Sequence, residues 1–196
     1  MSSFELYFGL GKDHILDYAN GYDHILFVLA LCAVYLVQDW KKILILVTAF
    51  TVGHSVTLAL ATLDIVTVSS AWVEFLIPVT IFSTAVSNLF RREDQLPGRG
   101  VQASYFLALF FGLIHGLGFS NYLKSLLGRQ ESITMPLFAF NVGLEVGQII
   151  IVGLFLAVSF IAVNLADANR RDWKMIISSA VAGIALMLMK DRIPGL

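Results

Sequence analysis

The chain has four histidines, and the surroundings of each bear on what it could bind. His24 follows Asp23 at the head of an apolar run, and His14 stands upstream in a similar Asp-His-Ile-Leu tetrapeptide. His54 sits in Phe50-Thr51-Val52-Gly53-His54-Ser55, and His115 in Phe111-Gly112-Leu113-Ile114-His115-Gly116, both inside long apolar stretches. Two acids keep similar company: Glu74, in Trp72-Val73-Glu74, and Glu145, with Asn141 one turn before it and Gln148 about one turn after. Spacings of four and three put those last three side chains on one helix face. Neutral imidazoles and carboxylates suit first-row divalent ions such as nickel, cobalt, zinc and iron(II). Asn141 and Gln148, with Ser55 beside His54, are of the types that orient ligand imidazoles through hydrogen bonds. The lone cysteine, Cys32, can form neither an internal disulfide nor a thiolate cluster and reads as a small apolar filler.

The elements that must position these groups follow from composition. Of 196 residues, 58% are hydrophobic and 14% charged, against about 25% charged in an ordinary soluble domain. Mean hydropathy is +0.80. A water-soluble enzyme is excluded, and an integral membrane protein is expected, with the lipid bilayer as its first partner. Thirteen Lys and Arg against 14 Asp and Glu offer no basic face, which excludes nucleic acid. Crossing a bilayer takes about 20 mostly apolar residues. Six stretches meet or approach that length: Tyr22–Val37, Ile43–Leu63, Ala71–Phe90, Val101–Leu123, Met135–Leu165 and Met175–Met189. The first is short unless Asp23 and His24 lie within the membrane, and the fifth is long enough to tilt, kink or project. The expected fold is therefore an all-α polytopic bundle of about six transmembrane helices, residues 22–190, in a single membrane domain spanning 1–196. Residues 1–21 carry no basic segment followed by an apolar run, so they read as an outer-face tail or interfacial helix rather than a signal peptide.

Loop charges suggest an orientation. Lys41, Lys42, Arg91, Arg92, Arg99, Arg170, Arg171 and Lys174 fall on one side, and Lys12, Lys124, Arg129, Lys190 and Arg192 on the other. The richer side is expected to face the cytoplasm, with both termini outside. On that topology Asp23, His24, His54, Glu74, His115, Asn141 and Glu145 all lie between the outer surface and the midplane. Ionisable groups in a bilayer are costly and normally face a partner or a cavity. Each has a structural reading of its own: His54 and His115 as hydrogen-bonded packing residues, Glu74 as an interfacial anchor, Asp23 as a helix N-cap, His14 as a solvated surface group. Their common depth is what those readings leave unexplained.

Three functions suit such a layer. The first is a permease, in which Asp23, His14 and Glu74 gather a divalent ion at an outer mouth and His24, His54, His115 and Glu145 hold it. The second is an intramembrane metal-dependent hydrolase, a zinc-activated water acting on a lipid or peptide substrate. Neither His-Glu-x-x-His nor Gly-x-Ser-x-Gly occurs, so no familiar protease or serine hydrolase motif supports it. The third is a non-catalytic metal-binding accessory protein. The far half of the bundle offers few polar residues for a through-path, chiefly Ser83, Thr84 and Asn88. An oligomer is compatible with every one of these.

Several blocks together resemble the HupE/UreJ family, bacterial membrane proteins often found beside hydrogenase or urease genes. They are Gly9-Leu10-Gly11-Lys12-Asp13-His14-Ile15-Leu16 leading to Gly21-Tyr22-Asp23-His24-Ile25-Leu26-Phe27, then Ala49-Phe50-Thr51-Val52-Gly53-His54-Ser55-Val56-Thr57-Leu58. Val73-Glu74, the block from Phe111 to Phe119 and the block from Phe140 to Gln148 complete the match, and the last helix matches only in being apolar. The resemblance implies a nickel or cobalt permease of the bacterial inner membrane, with nickel favoured and zinc or cobalt as alternatives. The best-described members carry a His-Pro pair ahead of the Gly-x-Asp-His block. Here Tyr18-Ala19-Asn20-Gly21 stands there instead, as in the shorter branch of the family.

Overall fold

The computed structural model describes residues 2–18, 21–91, 99–127 and 133–195, and of these nearly all are helical. The first helix, α1 (Ser3–Leu16), opens on a capping box: Glu5 N–H donates to Ser2 Oγ at 3.2 Å, and Ser2 N–H donates to the Glu5 carboxylate at 2.9 Å. Next come α2 (Tyr22–Cys32), α3 (Trp40–Thr62, entered through a short 3-10 turn), α4 (Ser70–Phe90) and α5 (Arg99–Gly118). After a break at Phe119, α6 (Ser120–Leu127) follows, then α7 (Thr134–Phe160) and α8 (Arg170–Asp191).

Among the described residues, five stretches are long and apolar enough to cross a membrane: 37–62, 70–90, 104–127, 134–165 and 170–191. The expected first span of Tyr22–Val37 is corrected by the structure. Its helix α2 has 11 residues, about 16 Å of rise, and falls short of a hydrocarbon core of about 30 Å. The long fifth stretch resolves into α7 plus a π-helical turn, Ile161–Leu165, which ends it. Arg92 and Arg129, two of the loop charges used above, lie outside the described residues, as does most of the expected loop 91–100.

Two close crossings fix the core. At α3–α5, a Cβ added to Gly53 would fall on the Leu109 carbonyl, and one on Gly112 or Gly116 on the carbonyls of Phe50 or His54. The α1–α7 crossing repeats this register: Gly11 meets the Phe140 carbonyl and Gly143 the Phe8 carbonyl. In both pairs the helices run parallel, and only glycine permits backbones this near. The segment read as a tail or interfacial helix is thus packed lengthwise on α7, burying Tyr7, Gly11 and Ile15. Helix α8 lies antiparallel to α4, with Lys174 Nζ donating to the Arg91 carbonyl just beyond α4 at 2.6 Å.

Candidate metal centre

Because α1 runs with α7 and stops at Leu16, it delivers His14 into the bundle, where α2 begins with Asp23 and His24. Gly21 allows the join, since a Cβ there would press on the carbonyl of His14 at 2.7 Å. Helix α3 brings His54 to the same level beside its glycine crossing. One ligand atom from each of His14, His24 and His54 lies within 4.8 Å of the other two. The His115 ring, from α5, stands 5.3 Å from the His24 ring, and its Nε2 lies 3.3 Å from Thr80 Oγ1 of α4.

Burial and missing partners set these histidines apart from packing residues. His24, His54 and His115 are 6%, 0% and 1% exposed. The buried atoms His14 Nε2, both ring nitrogens of His24 and of His54, and His115 Nδ1 have no hydrogen-bond partner among the described residues. Buried polar atoms are nearly always satisfied, since leaving one bare costs roughly 1–3 kcal/mol. Several imidazole nitrogens left bare at one point fit a shared ligand that accepts lone pairs, and the donor set is one that first-row divalent ions favour.

Above the cluster is a cavity of about 230 Å³ lined by His14, Asp23, His24, Glu74, His115 and Arg192. An adjoining cleft of about 740 Å³ shares His14, Gly21 and Phe119 with it and adds Asp13 and Asp17. Asp23 Oδ2 accepts from Arg192 Nη1 at 2.8 Å, while Asp23 Oδ1 is buried without a partner among the described residues. Burial opposes the Arg192 charge, but the hydrogen bond and charge of Asp23, with Tyr22 and Glu74, outweigh it and hold the guanidinium above its usual range. Arg192→Gln is expected to lower stability by about 1–3 kcal/mol, because it strands the buried Asp23 carboxylate. Thermal unfolding in detergent measures this.

Other expected site residues lie elsewhere. Glu145 does not reach the histidines: its carboxylate accepts from Thr48 Oγ1 at 2.6 Å on an exposed face. Gln148 Oε1 accepts from Thr51 Oγ1 at 2.8 Å, Asn141 Nδ2 donates to the Leu137 carbonyl, and Ser55 Oγ donates to the Thr51 carbonyl. None of these orients an imidazole. His14 lines the cavity and the cleft and is also one of the three converging histidines, and Glu74 lines the cavity with Asp23. Sequence reasoning missed Thr80 and Arg192; the signal for Arg192 was an Asp at the mouth in need of a cation on its own side. Glu145→Gln is expected to cost about 1 kcal/mol of stability through Thr48 while leaving metal affinity within about twofold. Paired unfolding and titration measurements separate the two effects.

The class is thereby defined: an integral membrane helix bundle with a buried histidine cluster beside a cavity lined by Asp23, Glu74 and Arg192. The family model described as HupE / UreJ protein matches residues 1–192, and the chain belongs to that family. The chain has no significant match among curated proteins or solved structures.

Proposed function

We propose that this protein is a permease for a divalent first-row transition ion of the nickel or cobalt type. The observation that carries the reading is the set of buried, unpartnered ring nitrogens converging from α1, α2 and α3. His14, His24 and His54 bind the ion, His115 lies beside them, and Asp23 and Glu74 draw it in from the cleft. Mixed nitrogen and oxygen donors without thiolate suit a site that must release what it binds. The protein lies in the bacterial cytoplasmic membrane with the histidine side outward. Support comes from Lys41, Lys42, Arg91, Arg170, Arg171 and Lys174 on the opposite side, as the positive-inside rule requires.

The test is uptake of cobalt or nickel by proteoliposomes carrying a metal-sensitive dye. His54→Ala and His115→Ala should each depress uptake strongly, and wild-type uptake in both variants would refute the permease. One observation favours a second reading, an intramembrane metal-dependent hydrolase. Phe27 and Phe50, with ring centroids 4.8 Å apart, floor the site beneath His24 and His115, as in a blind pocket. Hydrolysis of a lipid or peptide without ion flux would establish that reading. Stable metal with neither flux nor turnover would make the protein a metal-binding accessory factor.

A further inference from the structure

The histidine end of the bundle gathers buried lone pairs and acids, whereas the opposite end gathers buried donors and cations. There Arg170 and Lys174, from the start of α8, line one crevice with Arg91 at the end of α4. Ala33, Val34 and Trp173 are among its other walls. A cavity of about 140 Å³ adjoins it, sharing Val34 and Arg91 and adding Tyr35, Asn88 and Ser104. Among the described residues no carboxylate lines either space. Asp172 stands exposed outside both, and Asp39 is paired with Lys42 at 2.6 Å.

Two of the cations have a local duty. Arg170 Nη2 donates to the Val34 carbonyl at 3.2 Å, and Lys174 Nζ to the Arg91 carbonyl at 2.6 Å, just beyond α2 and α4. A helix C-terminus carries about half a negative charge, so two of them offset only part of two full positive charges. Lys174 is 7% exposed, and neither it nor Arg170 has an ion-pair partner among the described residues. A charge that is buried is normally paired, because taking it out of water alone is costly. Trp173 adds an independent signal: its buried Nε1–H has no acceptor among the described residues, and an indole N–H can only donate. We propose that this end of the bundle binds an anionic phosphate group, held by Arg170, Lys174 and Arg91 with the Trp173 N–H as a neutral donor. Guanidinium and ammonium groups are the usual partners of phosphate, and basic pockets between membrane helices take anionic headgroups. The phosphate belongs to a lipid of that leaflet or to a soluble compound, and the same donors serve either. The site is independent of what the histidines carry.

Thermal unfolding of the purified full chain in a neutral detergent tests this. Phosphatidylglycerol should raise the midpoint by several degrees, and phosphatidylcholine, whose phosphate carries its own cation, should not. Arg170→Gln and Lys174→Gln should each abolish the shift. Arg171→Gln removes an exposed cation outside both spaces and should retain it. A cooperative transition without lipid shows that each variant is folded. Arg170 is only half-buried, so Arg170→Gln decides the matter should Lys174→Gln fail to fold. Inorganic phosphate separates the two sources. A shift with phosphatidylglycerol alone places a lipid in the site, and an equal shift with inorganic phosphate alone places a soluble phosphate compound there. No shift with either overturns the site. So does a shift that survives in Arg170→Gln, or one that Arg171→Gln abolishes as fully, since general attraction of charge would then explain it.

Discussion

His54→Ala is expected to weaken binding of cobalt or nickel to the purified protein more than any other single change, beyond the roughly 10–100-fold that loss of a hydrogen-bonded partner of a ligand costs. His54 is fully buried, both its ring nitrogens are without partners among the described residues, and it stands beside the Gly53 crossing. Glu145 is not placed to replace it, since its carboxylate is bound to Thr48. His14→Ala and His24→Ala should fall close behind. His115→Ala should lose less, because Thr80 already engages its Nε2. Calorimetric titration gives the affinities, and the visible absorption of bound cobalt reports the ligand geometry. Unchanged affinity in all three converging histidine variants would dissolve the site.

A large effect on stability is expected at Gly53 and Gly112. A methyl at either position lands on a backbone carbonyl of the opposite helix, Leu109 or Phe50, and backbone cannot swing aside as a side chain does. Gly53→Val or Gly112→Val should therefore force α3 and α5 apart at a cost of about 3 kcal/mol or more, at the upper end of what overpacking causes. Metal affinity should fall with it, since His54 and His115 are carried by those two helices. Gly153 has nothing within 4 Å of an added Cβ, so Gly153→Ala should be neutral or stabilising by up to about 1 kcal/mol. Thermal unfolding in detergent compares the three.

Long apolar stretches made α3, α4, α7 and α8 readable from the sequence, because lipid demands apolar side chains all round. The α1–α2 break was not readable in that way. The burial of α1 comes from contact with α7, well over a hundred residues away, and nothing local distinguishes such a helix from one lying on the surface. Its trace was the repeated Asp-His-Ile-Leu, which places His14 on one flank of the break and His24 on the other. Likewise, periodicity correctly grouped Glu145 with Gln148 on one face of α7. What periodicity does not reveal is the neighbour across that face, and here it is Thr48 and Thr51 of α3 rather than the histidines.

The repeated glycine register has a consequence for symmetry. Helices α1 and α7 descend from the histidine side, whereas α3 and α5 ascend toward it, so one joint occurs twice in inverted orientation. The first joint carries His14 to the site, and the second carries His54 and His115. Bundles related in this inverted way can trade the conformations of their halves and so show one central site to each face of the membrane in turn.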